Sequence, residues 1–303
     1  MPRTIAILFL ALPACFVQDP LVEILPDERV EVNLPLASAF AKDDDDWATL
    51  YLFTASTTED INRMVGTVLF WVDTITHDYR PSYVDASETN ATWGPWATAL
   101  DPVYTLLWVT RDPDTDITTW GFDQWPRDAE RDASSPVVQG TVDPGATREV
   151  STGRFSIDFD AIHALDPTEE ATGQFAVDYD IGADGVSGTA TFIDFGPDAI
   201  DADYAYDQTF DGEGRMDLAV VSDLNPGGGS GLEETWDVRS RWLASGAGRA
   251  DVRVTGGDLG ATEATVSECW DTSFARVYYR ESLSGTEEGD PGACAYAEAE
   301  YPS

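Results

Sequence analysis

The side chains in this sequence with the chemistry to act are mostly carboxylates. Asp112, Asp114, Asp116 and Asp123 fall at positions 1, 3, 5 and 12 of a possible calcium loop. Such a loop needs a Gly at position 6 for its sharp turn and a bidentate Glu at position 12. Here those positions hold Ile117 and Asp123. No cofactor is expected, and calcium at these four aspartates is the exception the spacing allows. Asp178-x-Asp180-x-x-x-Asp184-Gly185 has the same flavour and the same defect. With 56 Asp and Glu residues in 303, a pair of carboxylates arises almost anywhere, so pairing alone gives no support for acid/base glycosidase chemistry. The two histidines, His77 and His163, lie in different contexts, and no H-E-x-x-H spacing points to zinc. Gly227-Gly228-Gly229-Ser230-Gly231 lacks the G-x-S-x-G spacing of a nucleophile elbow and reads as a flexible loop. Trp93-Gly94-Pro95-Trp96 could stack a sugar, or pack under a sheet edge.

The elements that would position these groups are chiefly strands. Tyr104 to Thr110 and Ile117 to Trp125 flank a turn-rich link of a hairpin. Thr152-Gly153-Arg154-Phe155-Ser156-Ile157-Asp158-Phe159-Asp160 is echoed twenty residues later by Thr172-Gly173-Gln174-Phe175-Ala176-Val177-Asp178-Tyr179-Asp180, and more weakly by residues 191–195. Alternation puts aromatic and aliphatic residues on one face and Asp or small residues on the other, as in half-buried antiparallel strands. The two strong copies read as neighbours in a meander. Asp184-Gly185 signals a hairpin turn. Further strands are expected near 186–195, 202–210, 215–222, 236–242, 250–254, up to Cys269-Trp270, at 277–279 and at 293–299. Trp47 to Phe53 reads as a buried strand. Ser56-x-x-Glu59 then opens a capping box before Ile61, Met64, Val65, Val68, Leu69, Val72 and Ile75, so an amphipathic helix is expected at about 57–78. The fold class is mainly β: a large antiparallel meander sheet, or a barrel or half-barrel, with one packed amphipathic helix.

Composition narrows the partners. The formal charge is −39, which repels phosphate polyanions and excludes nucleic acid as a partner. It would also repel an anionic lipid surface. The chain is 43% hydrophobic and 11% aromatic, enough apolar area for a core despite the charge.

Three cysteines remain: Cys15, Cys269 and Cys294. Arg3 precedes the apolar run Ile5 to Leu12, which is too short to span a bilayer and has the anatomy of a secretory signal. Leu12-Pro13-Ala14-Cys15 closes it and resembles the lipobox of bacterial lipoproteins, with Pro13 as a departure. The resemblance implies removal of residues 1–14, lipidation of Cys15, a tether over 15–46 and a body over 47–303. Phe16 after the cysteine implies outer-membrane rather than inner-membrane retention. With Cys15 lipidated, the even remainder Cys269 and Cys294 reads as one disulfide in an oxidising compartment.

The expectation is therefore a cell-envelope lipoprotein, partnered with the membrane through its N-terminal lipid. Its β body is expected to bind or scaffold rather than catalyse. Two alternatives stand beside it. One is a carrier or chaperone for lipid or another apolar ligand, since a half-barrel plus helix resembles periplasmic lipoprotein carriers in element order. The other is a surface carbohydrate-binding module or hydrolase.

Overall fold

A computed structural model describes residues 47–99, 101–147, 150–223 and 231–301. The lipobox, the expected tether and most of the glycine-rich loop lie outside these residues.

The body is one antiparallel sheet of fifteen strands in strictly sequential order. The strands are β1 (Tyr83–Val84), β2 (Asn90–Trp96), β3 (Val103–Arg111), β4 (Thr118–Pro126), β5 (Ser135–Thr147), β6 (Val150–Asp158), β7 (Gln174–Ile181), β8 (Gly185–Phe195), β9 (Ile200–Thr209), β10 (Gly214–Ser222), β11 (Glu234–Trp242), β12 (Gly248–Gly256), β13 (Ala264–Trp270), β14 (Arg276–Glu281) and β15 (Glu287–Gly289). The sheet does not close into a barrel. Its edges are a two-residue strand and a short Glu-Glu-Gly strand, a brief or charged form that discourages pairing with other chains.

The meander of the sequence echo is present: β6 pairs with β7, Phe155 opposite Val177, and β7 pairs with β8, Phe175 opposite Phe192. One register row crosses twelve strands from Ala91 through Trp120, Phe155, Val177, Tyr204, Leu218 and Val238 to Val266. Most of this row is buried on the inner face, and the flanking positions in β6 and β7 are exposed. Glycines recur on the inner face beneath an aromatic ring from a neighbouring strand: Gly140 under Trp120, Gly153 under Tyr179, Gly188 under Tyr206, Gly214 under Trp242 and Gly248 under Trp270. The missing Cβ is what lets each ring lie flat against the neighbouring backbone.

The inner face packs on α1, Thr49–Asp78. This helix starts eight residues before the expected boundary, and the expected strand Trp47 to Phe53 supplies its first turns. A short continuous apolar run has no period that separates strand from helix. The burial of Tyr51, Thr54, Thr58, Ile61, Val65, Leu69 and Val72 at three- and four-residue steps shows that one helical stripe continues through it. Ser56 does not cap; its hydroxyl donates to the carbonyl of Phe53. The helix runs across the strands. Leu50 meets Glu268 on β13, Thr54 donates to Ser240 on β11, Thr58 meets Tyr204 and Met216 on β9 and β10, and the carbonyl of Tyr79 accepts from the Trp93 indole on β2. Its thirty residues give ~45 Å of length, comparable to the ~53 Å covered by the eleven strand spacings from β2 to β13.

A second helix, α2 (Phe159–Leu165), was not anticipated. Asp158 caps it by accepting from the N–H of Ala161, ending the strand that the echo suggested would run to Asp160.

The final segment also differs from expectation. Cys294 to Tyr301 is not a strand but a strap over the outer face of β11–β13. Cys269 on β13 and Cys294 form the expected disulfide, with Cα atoms 5.4 Å apart.

Candidate functional site

The outer face of the sheet carries two register rows in which all but one of the side chains are polar. The first runs Asp143, Thr152, Asp180, Ser187, Asp207 and Arg215 from β5 to β10. The second runs Thr141, Arg154, Asp178, Thr189 and Ala205 from β5 to β9. Between them lies an open furrow of about 560 Å³. Ile117, from the β3–β4 connection, also lines it. The backbone of Gly153, Tyr179, Gly188 and Tyr206 lies between the two rows, with the tyrosine rings turned to the buried inner face.

Six charged side chains line the furrow: Asp143, Asp178, Asp180 and Asp207 with Arg154 and Arg215. Asp178, Asp180, Asp207, Arg154 and Arg215 are exposed, and no side-chain hydrogen bond or ion pair joins them to another described residue. Strand pairing sets Arg154 opposite Asp178 and Arg215 opposite Asp207. Four carboxylates and two guanidiniums are therefore spread along a groove about six strands wide.

Both rows continue onto β11–β13, where the outer face is occupied. Arg215 faces Arg241, which faces Arg249, and Asp217 faces Arg239, which faces Asp251. Like charges in direct cross-strand register are unfavourable unless compensated. The strap compensates them. The carbonyls of Tyr296 and Glu298 accept from Arg249 (3.2 Å) and Arg241 (3.2 Å), and the Glu300 carboxylate pairs with Arg241 at 2.8 Å. The N–H of Glu300 donates to Asp251 at 3.1 Å. Arg241 stacks over the Tyr296 ring, Arg253 stacks over Tyr301, and Arg239 donates to the Tyr301 hydroxyl. Beneath the strap Arg249 and Asp251 form a buried ion pair at 3.0 Å, and Ser267 donates to the same carboxylate.

The aspartates of the possible calcium loop do not converge. Asp112 accepts from the N–H of Asp114 within the β3–β4 turn, which holds the Asp112 carboxyl below its ordinary range. Asp116 is paired with Arg111. Asp123 lies on β4, ~17 Å along the strand from that turn, and accepts from the Trp108 indole. Among the described residues no three of the His, Cys, Asp or Glu side chains are grouped to hold a metal ion. Asp178 and Asp180 line the furrow, whereas Asp184 sits in the β7–β8 turn. His77 pairs with Asp73 on its own helix, and His163 is hydrogen-bonded to the Glu169 carbonyl. Trp93 is buried and hydrogen-bonded to Tyr79, so the Trp93–Trp96 stretch packs against the core and presents no sugar platform.

Sequence reasoning recognised an acidic solvated face but not the furrow. Arg154, Ser187, Thr189, Asp207 and Arg215 gave no motif. Their signal is parity: each falls on the polar phase of its own strand, and only the pairing register brings them into rows. Comparisons with protein-family models, with curated proteins and with solved structures returned no match.

Proposed function

We propose that this chain is an envelope lipoprotein, held at the outer membrane by lipid on Cys15, whose β body binds an extended polar ligand on its outer face without catalysing a reaction. The observation that carries the binding reading is the contrast between the two halves of that face. The arginines under the strap each meet a strap group, whereas five charged side chains of the adjoining furrow have no described partner. Ligand carbonyls, hydroxyls and amines would pair with them as the strap pairs with its half.

The anchoring part rests on the lipobox resemblance and is supported by the disulfide, which suits an oxidising compartment. No helix among the described residues is long and apolar enough to cross a membrane. Cells fed labelled palmitate should label the wild type and not Cys15→Ser; an unmodified Cys15 in the intact mass of the membrane-extracted protein would overturn it.

The binding part is tested with neutral oligosaccharides and with acidic and basic peptides, read by amide hydrogen exchange. Protection confined to β5–β10 is expected for at least one of them. Protection elsewhere, or none, would defeat the reading.

A further inference from the structure

We propose that the furrow takes an extended basic segment of polypeptide, with the C-terminal strap showing how this face recognises one. The inference rests on the binding reading above and adds the class of ligand.

The strap sits on the continuation of the two rows that bound the furrow, and it is held largely through its backbone. Its carbonyls accept from arginines of the first row, and the N–H of Glu300 donates to Asp251 of the second. An extended peptide on the open half would meet the same two kinds of partner. Asp178, Asp180 and Asp207 would accept from N–H groups, and Arg154 and Arg215 would donate to carbonyls. Crossing six strands covers ~24 Å, which an extended chain spans with ~7 residues.

Charge decides the sign of that peptide. Under the strap four arginines (Arg239, Arg241, Arg249, Arg253) face three aspartates (Asp217, Asp237, Asp251), and the strap brings acid to the surplus cation. In the furrow, with Asp143 set aside because it has a partner of its own, three aspartates face two arginines, so the surplus is still anionic and the matching segment is basic. A neutral sugar fits less well, because the aromatic rings along the floor are buried on the other side of the sheet and offer no stacking platform.

The test uses a fluorescein-labelled dodecapeptide of six Lys-Thr repeats, its Glu-Thr counterpart and fluorescein-labelled cellohexaose, each titrated separately at physiological salt. The Lys-Thr peptide should bind, and Asp180→Asn with Asp207→Asn should weaken it at least tenfold. Glu130→Gln with Asp132→Asn, an equal charge change in the β4–β5 connection, should weaken it less than twofold. Equal losses in the two variants would mean attraction to the whole acidic chain and would overturn the proposal, as would equal binding of the Glu-Thr peptide. If cellohexaose alone binds and depends on Asp180 and Asp207, the peptide inference fails while the binding reading stands. If neither probe binds, or neither responds to those residues, both fall.

Discussion

Glu268 on β13 accepts a hydrogen bond from the backbone N–H of Leu50, 218 residues earlier, in the first turn of α1. The helix has no cap of its own, since Ala48 offers no side-chain acceptor. A carboxylate from the far end of the sheet therefore fills the place of an N-cap, where a negative charge also meets the positive end of the helix dipole. Arg276 approaches it to 3.8 Å. Glu268→Ala should lower the unfolding free energy by ~2–3 kcal/mol, read from urea denaturation.

That carboxyl also has a pH signature. Burial pushes its pKa above the ordinary 4.5, against the lowering effect of the helix N–H groups and Arg276. A raised folded value means the folded state holds the proton longer than the unfolded one. This contribution is complete below about 4.5 and is lost as pH rises through the folded value. The stability of the wild type relative to Glu268→Gln should decline over that window.

The core tyrosines set an alkaline limit. Burial pushes Tyr204 up to about 12 and raises Tyr179 and Tyr206 as well. Each contribution is intact below pH 10 and is lost as pH climbs towards the folded values. Absorbance of tyrosinate should show these three of the eleven tyrosines failing to ionise until the protein unfolds.

The glycines under aromatic rings should resist substitution. A Cβ at Gly153 would stand inside the Tyr179 ring, and one at Gly248 would meet Trp270. Alanine at either should cost ~1–3 kcal/mol by overpacking. Gly66 in α1 has nothing within 4 Å of a built Cβ, so Gly66→Ala should stabilise by up to ~1 kcal/mol. Melting temperatures of the three variants check the contrast.

The strap is fastened at one end by Cys269–Cys294, a closure over 25 residues of sequence. Cys294→Ser should cost ~3–4 kcal/mol by chain entropy. Arg249→Ala leaves the buried Asp251 with only the more distant Arg241, at 3.6 Å, as cation and should cost ~2–4 kcal/mol. Arg63→Ala, at an exposed pair with Glu59, should cost under ~1 kcal/mol. Without reductant, neither Cys269 nor Cys294 should take a thiol label.

Period-two alternation made most strands legible, because one buried and one solvated face leave a direct imprint on sequence. The disulfide was legible from arithmetic on three cysteines. The first turns of α1 were not, since Trp47 to Phe53 carry no period and their cap comes from Glu268. The strap was missed because its hold on the sheet is made by backbone carbonyls and arginines on other strands, while Ala293 to Ala299 alternates like a strand. The furrow exists only in the relation between neighbouring strands, and a single strand read alone shows the polar phase of its residues but not the rows they form.

The strictly sequential strand order gives the sheet an unusual assembly logic. Each strand finds its partner next along the chain, so the sheet can grow one hairpin at a time with low loop-closure cost. The start of α1 breaks this locality: Ala48 bonds the carbonyl of Phe274 and Leu50 bonds Glu268. Those contacts act as a clasp that joins the start of the helix to the far end of the sheet. Such a clasp converts a row of locally assembled hairpins into one cooperative unit, in which loosening β13 would be felt at the first turn of the helix.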